Sequence, residues 1–84
     1  MIEYPEVDLH RLTVDEAMPK LNDFLYQAFT SGLNEVSVNH GKGSGVLRLA
    51  VRRELSKSSL VKSFRRGARG EGGEGVTIVK LAEH

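Results

Sequence analysis

The sequence contains no cysteine, which excludes disulfide frameworks, CxxC zinc sites, thiol catalysis and cysteine-ligated iron–sulfur clusters. Nowhere in its 84 residues does an apolar run approach the roughly 20 residues that a membrane-spanning helix requires, so no membrane partner is expected. The opening stretch, MIEYPEV, has no basic-then-apolar leader, which makes the cytoplasm the expected compartment. There is no internal repeat and no linker long enough to divide the chain. What remains is one small domain with a single core, because a hydrophobic share of 39% is too high for a disordered polyelectrolyte.

The net charge of +1 conceals a strong asymmetry, since residues 1–35 sum to −5 and residues 36–84 to +6. Within 42–69 stand nine basic residues (Lys42, Arg48, Arg52, Arg53, Lys57, Lys62, Arg65, Arg66 and Arg69) against one acid, Glu54. Charge runs are most often a solvated surface. Seven of the twelve cations are arginine, however, and the guanidinium fork holds phosphate oxygens in pairs, which points to a polyanion as partner.

Apolar and polar residues alternate over Val7-Asp8-Leu9-His10, predicting a half-buried strand. Thr13 and Glu16 have capping-box spacing, and Ala17, Leu21, Phe24, Leu25, Ala28 and Phe29 recur at helical spacing up to Gly32, predicting a helix over about 14–31 with a bend at Pro19. A second strand follows at 35–39, then a loop, His40-Gly41-Lys42-Gly43-Ser44-Gly45. The next helix, at about 46–57, is expected to bury Leu47, Ala50, Val51 and Leu55 and to stack Arg48 and Arg52 on its exposed side. A third strand is expected at 61–66. The glycine-rich stretch 67–75 reads as a flexible hairpin loop leading into the clearest strand, 76–81. The order is β-α-β-α-β-β, with the first three strands parallel, the last two a hairpin, and one sheet face less buried. The fold class is α/β, a two-layer sandwich.

Several local patterns are false leads. Gly70-x-Gly72-x-x-Gly75 fits the dinucleotide fingerprint but opens a strand where that motif opens a helix. Gly67-Ala68-Arg69-Gly70 fits the GxxG of KH domains but does not join two helices. Gly41-Lys42-Gly43 lacks the Ser or Thr that follows the lysine of a Walker loop. The surviving constellation lies where the first two strands end. If those strands are neighbours, Asp8, His10 and His40 meet at the carboxyl edge of the sheet, beside a loop whose amides and following helix N-terminus suit an anion. Lys42 adds a mobile charge. Taken singly, Asp8 could cap a turn or pair with Arg11, the histidines could be ordinary strand ends, and the glycines could make only a tight turn.

Val7-Asp8-Leu9-His10, the Glu16-Ala17 helix start, His40 through Arg48, and Gly72-Gly73-Glu74-Gly75-Val76-Thr77 together resemble the Smr (small MutS-related) domain, whose motifs are LDLHG or LDLR, HGKGTG and GGxGvT. The resemblance spans about residues 5–82 as a single domain. It implies a fold like the C-terminal domain of bacterial translation initiation factor three, nucleic-acid binding, and in several members endonuclease or nicking activity. It also implies settings such as the end of a MutS paralogue, a stand-alone protein, or a protein acting on stalled-ribosome messages. Carried over, the LDLH motif marks Asp8 and His10, and the HGKG motif marks His40 and Lys42. Arg11 stands where LDLHG has glycine, so the turn is expected to differ or to gain a phosphate contact; Ser44 stands for threonine.

The expected function is therefore an endonuclease domain with little sequence preference, cutting phosphodiester bonds in DNA or RNA. Asp8 or His10 would activate the nucleophile, Lys42 and the loop amides would hold the phosphate, and His40 would orient it or protonate the leaving oxygen. Backbone contacts are expected from Arg11, Gly41, Gly43, Gly45, Arg48, Arg52, Arg65, Arg66 and Arg69. Mg2+ or Mn2+ would bind through Asp8 if at all, although one carboxylate is thin for such a site. The alternative is a non-catalytic module that recognises branched or nicked DNA or structured RNA for a MutS-like partner domain or the ribosome.

Overall fold

The computed structural model describes residues 4–83, and among them no helix is long and apolar enough to cross a membrane. The elements run β1 (Glu6–Asp8), α1 (Val14–Thr30), β2 (Glu35–Asn39), α2 (Val46–Lys57), β3 (Val61–Arg66) and β4 (Val76–Leu81), with a 3-10 turn over Gly73–Gly75 before β4. Both helices and the last three strands occupy the spans expected from the sequence to within a residue. The first strand is shorter than expected. It stops at Asp8, because Leu12 N–H folds back to the Leu9 carbonyl at 3.1 Å and Arg11 turns the chain with a φ of 69°.

The start of α1 is fixed by reciprocal bonds: Glu16 N–H donates to Thr13 Oγ1 at 3.1 Å and Thr13 N–H to Glu16 Oε1 at 2.9 Å. Its end is a Schellman closure at Gly32, which takes a φ of 78° while Leu33 N–H reaches back to the Ala28 carbonyl at 3.1 Å. The helix continues through Pro19, and Ala17, Leu21, Leu25 and Ala28 form its buried stripe. The stripe on α2 is narrower than the sequence suggested. Val51 and Leu55 are buried, whereas Leu47 and Ala50 are only half-buried.

The sheet has the order β1-β2-β4-β3, with β1 and β2 parallel and β4 antiparallel to both of its neighbours. The first three strands do share one direction and β3 and β4 do pair as a hairpin, but β4 is inserted between β2 and β3. Its composition explains the place. Val76 to Val79 are all buried, as a central strand demands, while β3 exposes Lys62, Arg65 and Arg66 at the sheet edge, where charge discourages strand addition. The two helices pack together and on one face of the sheet, around Val7, Leu9, Val36, Val38, Val79 and Leu81, in a slab 17 Å thick. The other face carries Glu35, Ser37, Arg65, Ile78 and Lys80.

The stretch 67–75 is an ordered turn, because one of its two acids, Glu71, collects donors. Glu71 accepts both guanidinium branches of Arg65 at 2.7 and 3.0 Å, Ala68 N–H at 2.8 Å and the Tyr4 hydroxyl at 3.1 Å. These bonds, Arg65 foremost, push the Glu71 carboxyl down to about 2, and hold the Arg65 guanidinium more firmly protonated than usual. Gly72 has no substitute: its φ is 108° and a Cβ there would lie 2.3 Å from Val76 Cγ2.

Candidate functional site

The parallel pairing of β1 with β2 sets Asp8 directly beside Asn39, so the chain leaves both strands at the same edge. Beyond Asp8, the backbone turn brings His10 back onto it. Asp8 Oδ1 accepts His10 N–H at 3.1 Å and also meets the ring Nδ1. A carboxylate only accepts, so Nδ1 carries the proton and the unprotonated nitrogen of a neutral ring is Nε2, which meets no protein partner among the described residues. The ring bond is also the leading reason the Asp8 carboxyl is held below the usual carboxylate range. Both side chains remain open to solvent, His10 at 44% and Asp8 at 52%. Lys20, which belongs to none of the sequence motifs, reaches from α1 to the Asp8 carbonyl at 3.1 Å and ties the helix to this edge.

Beyond Asn39 the chain enters the glycine loop. His40 does not join the solvent-facing edge. It is 4% exposed, its Nδ1 donates to the Gly41 carbonyl at 2.9 Å, and its Nε2 lies 2.9 Å from Thr77 Oγ1. Burial first, and the charges of Arg52 and Arg48 after it, push the imidazole pKa down, so the ring is neutral and Nε2 accepts from the Thr77 hydroxyl. With both nitrogens engaged inside the protein, His40 is a strut between loop and sheet and is badly placed to protonate a leaving oxygen. Thr77 is a further residue of the site: it closes the segment that resembles GGxGvT, but only the pairing of β4 with β2 shows what it touches.

The segment 72–75 completes the support. Gly75 carbonyl accepts both His40 N–H at 3.1 Å and Gly41 N–H at 3.0 Å, and Asn39 Oδ1 accepts Gly41 N–H as well, also at 3.0 Å. The Gly41 amide is thus spent internally and is not offered to a ligand. Its lack of a side chain matters instead, since a Cβ at Gly41 would lie 3.2 Å from His10 Cβ. Past it, no acceptor among the described residues meets the N–H groups of Lys42, Gly43, Ser44 or Gly45. Positive φ angles at Gly41, Gly43 and Gly45 (76°, 26° and 90°) alternate along this run, the backbone habit of an anion-binding nest. α2 begins at Gly45 with no side-chain cap and no acid in its first turn.

Loop and helix N-termini enclose an open cavity of about 290 Å3, whose lining includes Arg11, Lys42, Gly43, Val46 and Arg48 and no carboxylate. Arg48 is half-buried there, and its Nε is buried with no hydrogen-bond partner, a cost that a phosphate oxygen would remove. Arg52 is likewise half-buried, so neither arginine lies along the outer side of α2 as expected. Arg65 faces the other side of the sheet and is committed to Glu71, and Arg66 lies 3.7 Å from Glu74. The structure therefore gathers Arg11, Lys42 and Arg48 at one opening and leaves Arg65 out. Arg69 is exposed on the turn before β4.

Arg11 adopts the left-handed conformation that a motif glycine would supply, so the turn is kept at the cost of strain. Arg11→Gly is expected to stabilise the domain by about 1 kcal/mol, which raises Tm by roughly 4–8 °C at this size. Thermal denaturation of the two proteins measures it, and a lower Tm in the variant would show that side-chain contacts more than offset the strain.

The family described as the Smr domain matches residues 7–82. The chain is 51% identical over 78 residues to the endonuclease MutS2 of Pelotomaculum thermopropionicum, covering 93% of this chain and 10% of that protein. It thus spans about a tenth of the length of the curated relatives it matches. Among solved structures, the Smr domain of Thermus thermophilus MutS2 superposes with a TM-score of 0.90 at 45% identity, covering 93% of this chain and 98% of that one. YdaL, a stand-alone small MutS-related protein from Escherichia coli, gives a TM-score of 0.90 at 29% identity, covering 96% and 69%.

Proposed function

The chain belongs to the Smr domain family, and from that premise we propose that it binds nucleic acid and nicks its backbone with little sequence preference, His10 acting as general base. The observation that carries this reading is the Asp8–His10 pair standing against Gly41, next to a cationic, carboxylate-free cavity. Asp8 fixes the ring so that Nε2 takes the proton of the attacking hydroxyl, from water or from a ribose 2′-OH. The nucleophile's oxygen bonds to phosphorus as the bond to the leaving oxygen breaks. Lys42, Arg48 and the free loop amides offset the negative charge that gathers on the phosphoryl oxygens, and solvent entering the open cavity protonates the leaving oxygen.

The donor set fits a resident divalent ion poorly. No group of three or more His, Asp or Glu side chains converges among the described residues, no carboxylate lines the cavity, and one oxygen of Asp8 is engaged by His10. No step is assigned to Mg2+ or Mn2+.

The test is a nicking assay on supercoiled plasmid and a cleavage assay on labelled RNA, with Mg2+, with Mn2+ and with EDTA, alongside duplex binding at several salt concentrations. Cleavage is expected, with log Kd changing by about 0.9 per phosphate neutralised for each tenfold change in salt. Salt-dependent binding with no cleavage under any condition would make the domain a recognition module. Salt-independent binding would remove the polyanion reading altogether.

A further inference from the structure

Two large aliphatic side chains on α2 point away from the core, Val46 at 61% and Leu49 at 59% exposure. They are one turn apart on the same face, and Arg53 and Lys57 continue that exposed stripe toward the C-terminus. Lys42, exposed on the loop, precedes them. The only acid of the helix, Glu54, accepts a bond from Asn22 on α1 at 3.0 Å and is drawn toward that helix. An aliphatic pair flanked at both ends by cations is an odd face for water and a poor one for an apolar protein partner. It suits a polyanion that also carries apolar surface.

The position of the pair narrows the choice. Val46 is itself part of the lining of the cavity, and Leu49 lies one turn, about 4.5 Å, further along the helix axis. A phosphate held by Lys42 and Arg48 thus brings its own nucleoside against these two side chains. In a continuous duplex the phosphates face outward and the bases are stacked inside, beyond reach of groups that stand beside the phosphate. An unpaired base can swing out and cover them. Resting on the nucleic-acid reading above, we propose that Val46 and Leu49 form a wedge that receives an unpaired base next to the phosphate in the cavity, so that the preferred substrate is a strand with unstacked nucleotides at the contact point.

The experiment uses the whole chain with two oligonucleotides of one sequence, a fully paired duplex and the same duplex with three unpaired nucleotides, one of them 2-aminopurine. Wild type is expected to bind the unpaired form about tenfold more tightly, the equivalent of partly burying two aliphatic side chains, and to alter 2-aminopurine emission. Val46→Gln/Leu49→Gln, whose exposed positions leave folding intact, is expected to lose this preference and bind the two forms alike. Equal wild-type affinity for the two forms, or a preference that survives the double substitution, overturns the wedge while leaving polyanion binding in place. Absence of any salt-sensitive binding overturns both. Sedimentation that shows a dimer abolished by the same substitutions would also overturn it and make the face a self-association surface.

Discussion

His10→Ala should lower the single-turnover cleavage rate by about 10^2–10^4, the usual contribution of a positioned general base, while Kd for an uncleaved substrate changes less than twofold. The asymmetry follows from where the ring stands. Its Nδ1 is taken by Asp8 and the side chain is outside the cavity lining, so on the proposed reading His10 takes a proton and contributes little to holding the strand. Asp8→Asn should show the same signature, because an amide can donate to Nδ1 and stabilise the tautomer whose Nε2 is already protonated. A carboxylate repels phosphate, so its loss cannot weaken binding. Single-turnover rate and Kd for the two variants decide the matter: an undiminished rate in His10→Ala would put the base elsewhere, and parallel losses of rate and binding would make the pair part of the contact surface.

The features visible in the sequence were those with local causes. Thr13 and Glu16 cap a helix three residues apart, Gly32 ends it, and the alternation at 35–39 and the β-branched run at 76–81 need no distant partner to be recognised. The site was legible as far as it follows chain order: Asp8 with His10, and the loop 41–45 feeding a helix. What was hidden depends on pairings distant in sequence. His40 looks like a second titratable group at a strand end, and only the insertion of β4 beside β2 brings Thr77, 37 residues away, against its Nε2 and closes it off. Arg65 belongs by sequence to a basic run, but strand alternation turns it to the opposite face, where Glu71 claims both branches of its guanidinium. The departure at Arg11 had a conformational answer rather than a topological one, since an arginine in the left-handed region preserves the glycine turn.

Lys42→Ala should cost cleavage far more than binding, by about 2–4 kcal/mol of transition-state stabilisation, or roughly 30- to 1,000-fold in rate. Lys42 is exposed and forms no ion pair among the described residues, so its removal leaves the fold intact and the effect can be assigned to the substrate. It sits within four consecutive unpartnered amides at the uncapped start of α2, a backbone arrangement suited to holding one phosphate at close range. The charge gathering on that phosphate during the reaction exceeds its ground-state charge, so the ammonium interacts more strongly in the transition state. Arg52 stands on the helix body, outside the cavity lining, and Arg52→Gln should weaken binding and flatten the salt dependence by about one phosphate's worth with the bound-state rate retained. Rate and Kd measured for both variants at one salt concentration separate the roles. If both lose rate and affinity in the same proportion, the loop is one more stretch of basic surface, and the recognition-module reading replaces catalysis.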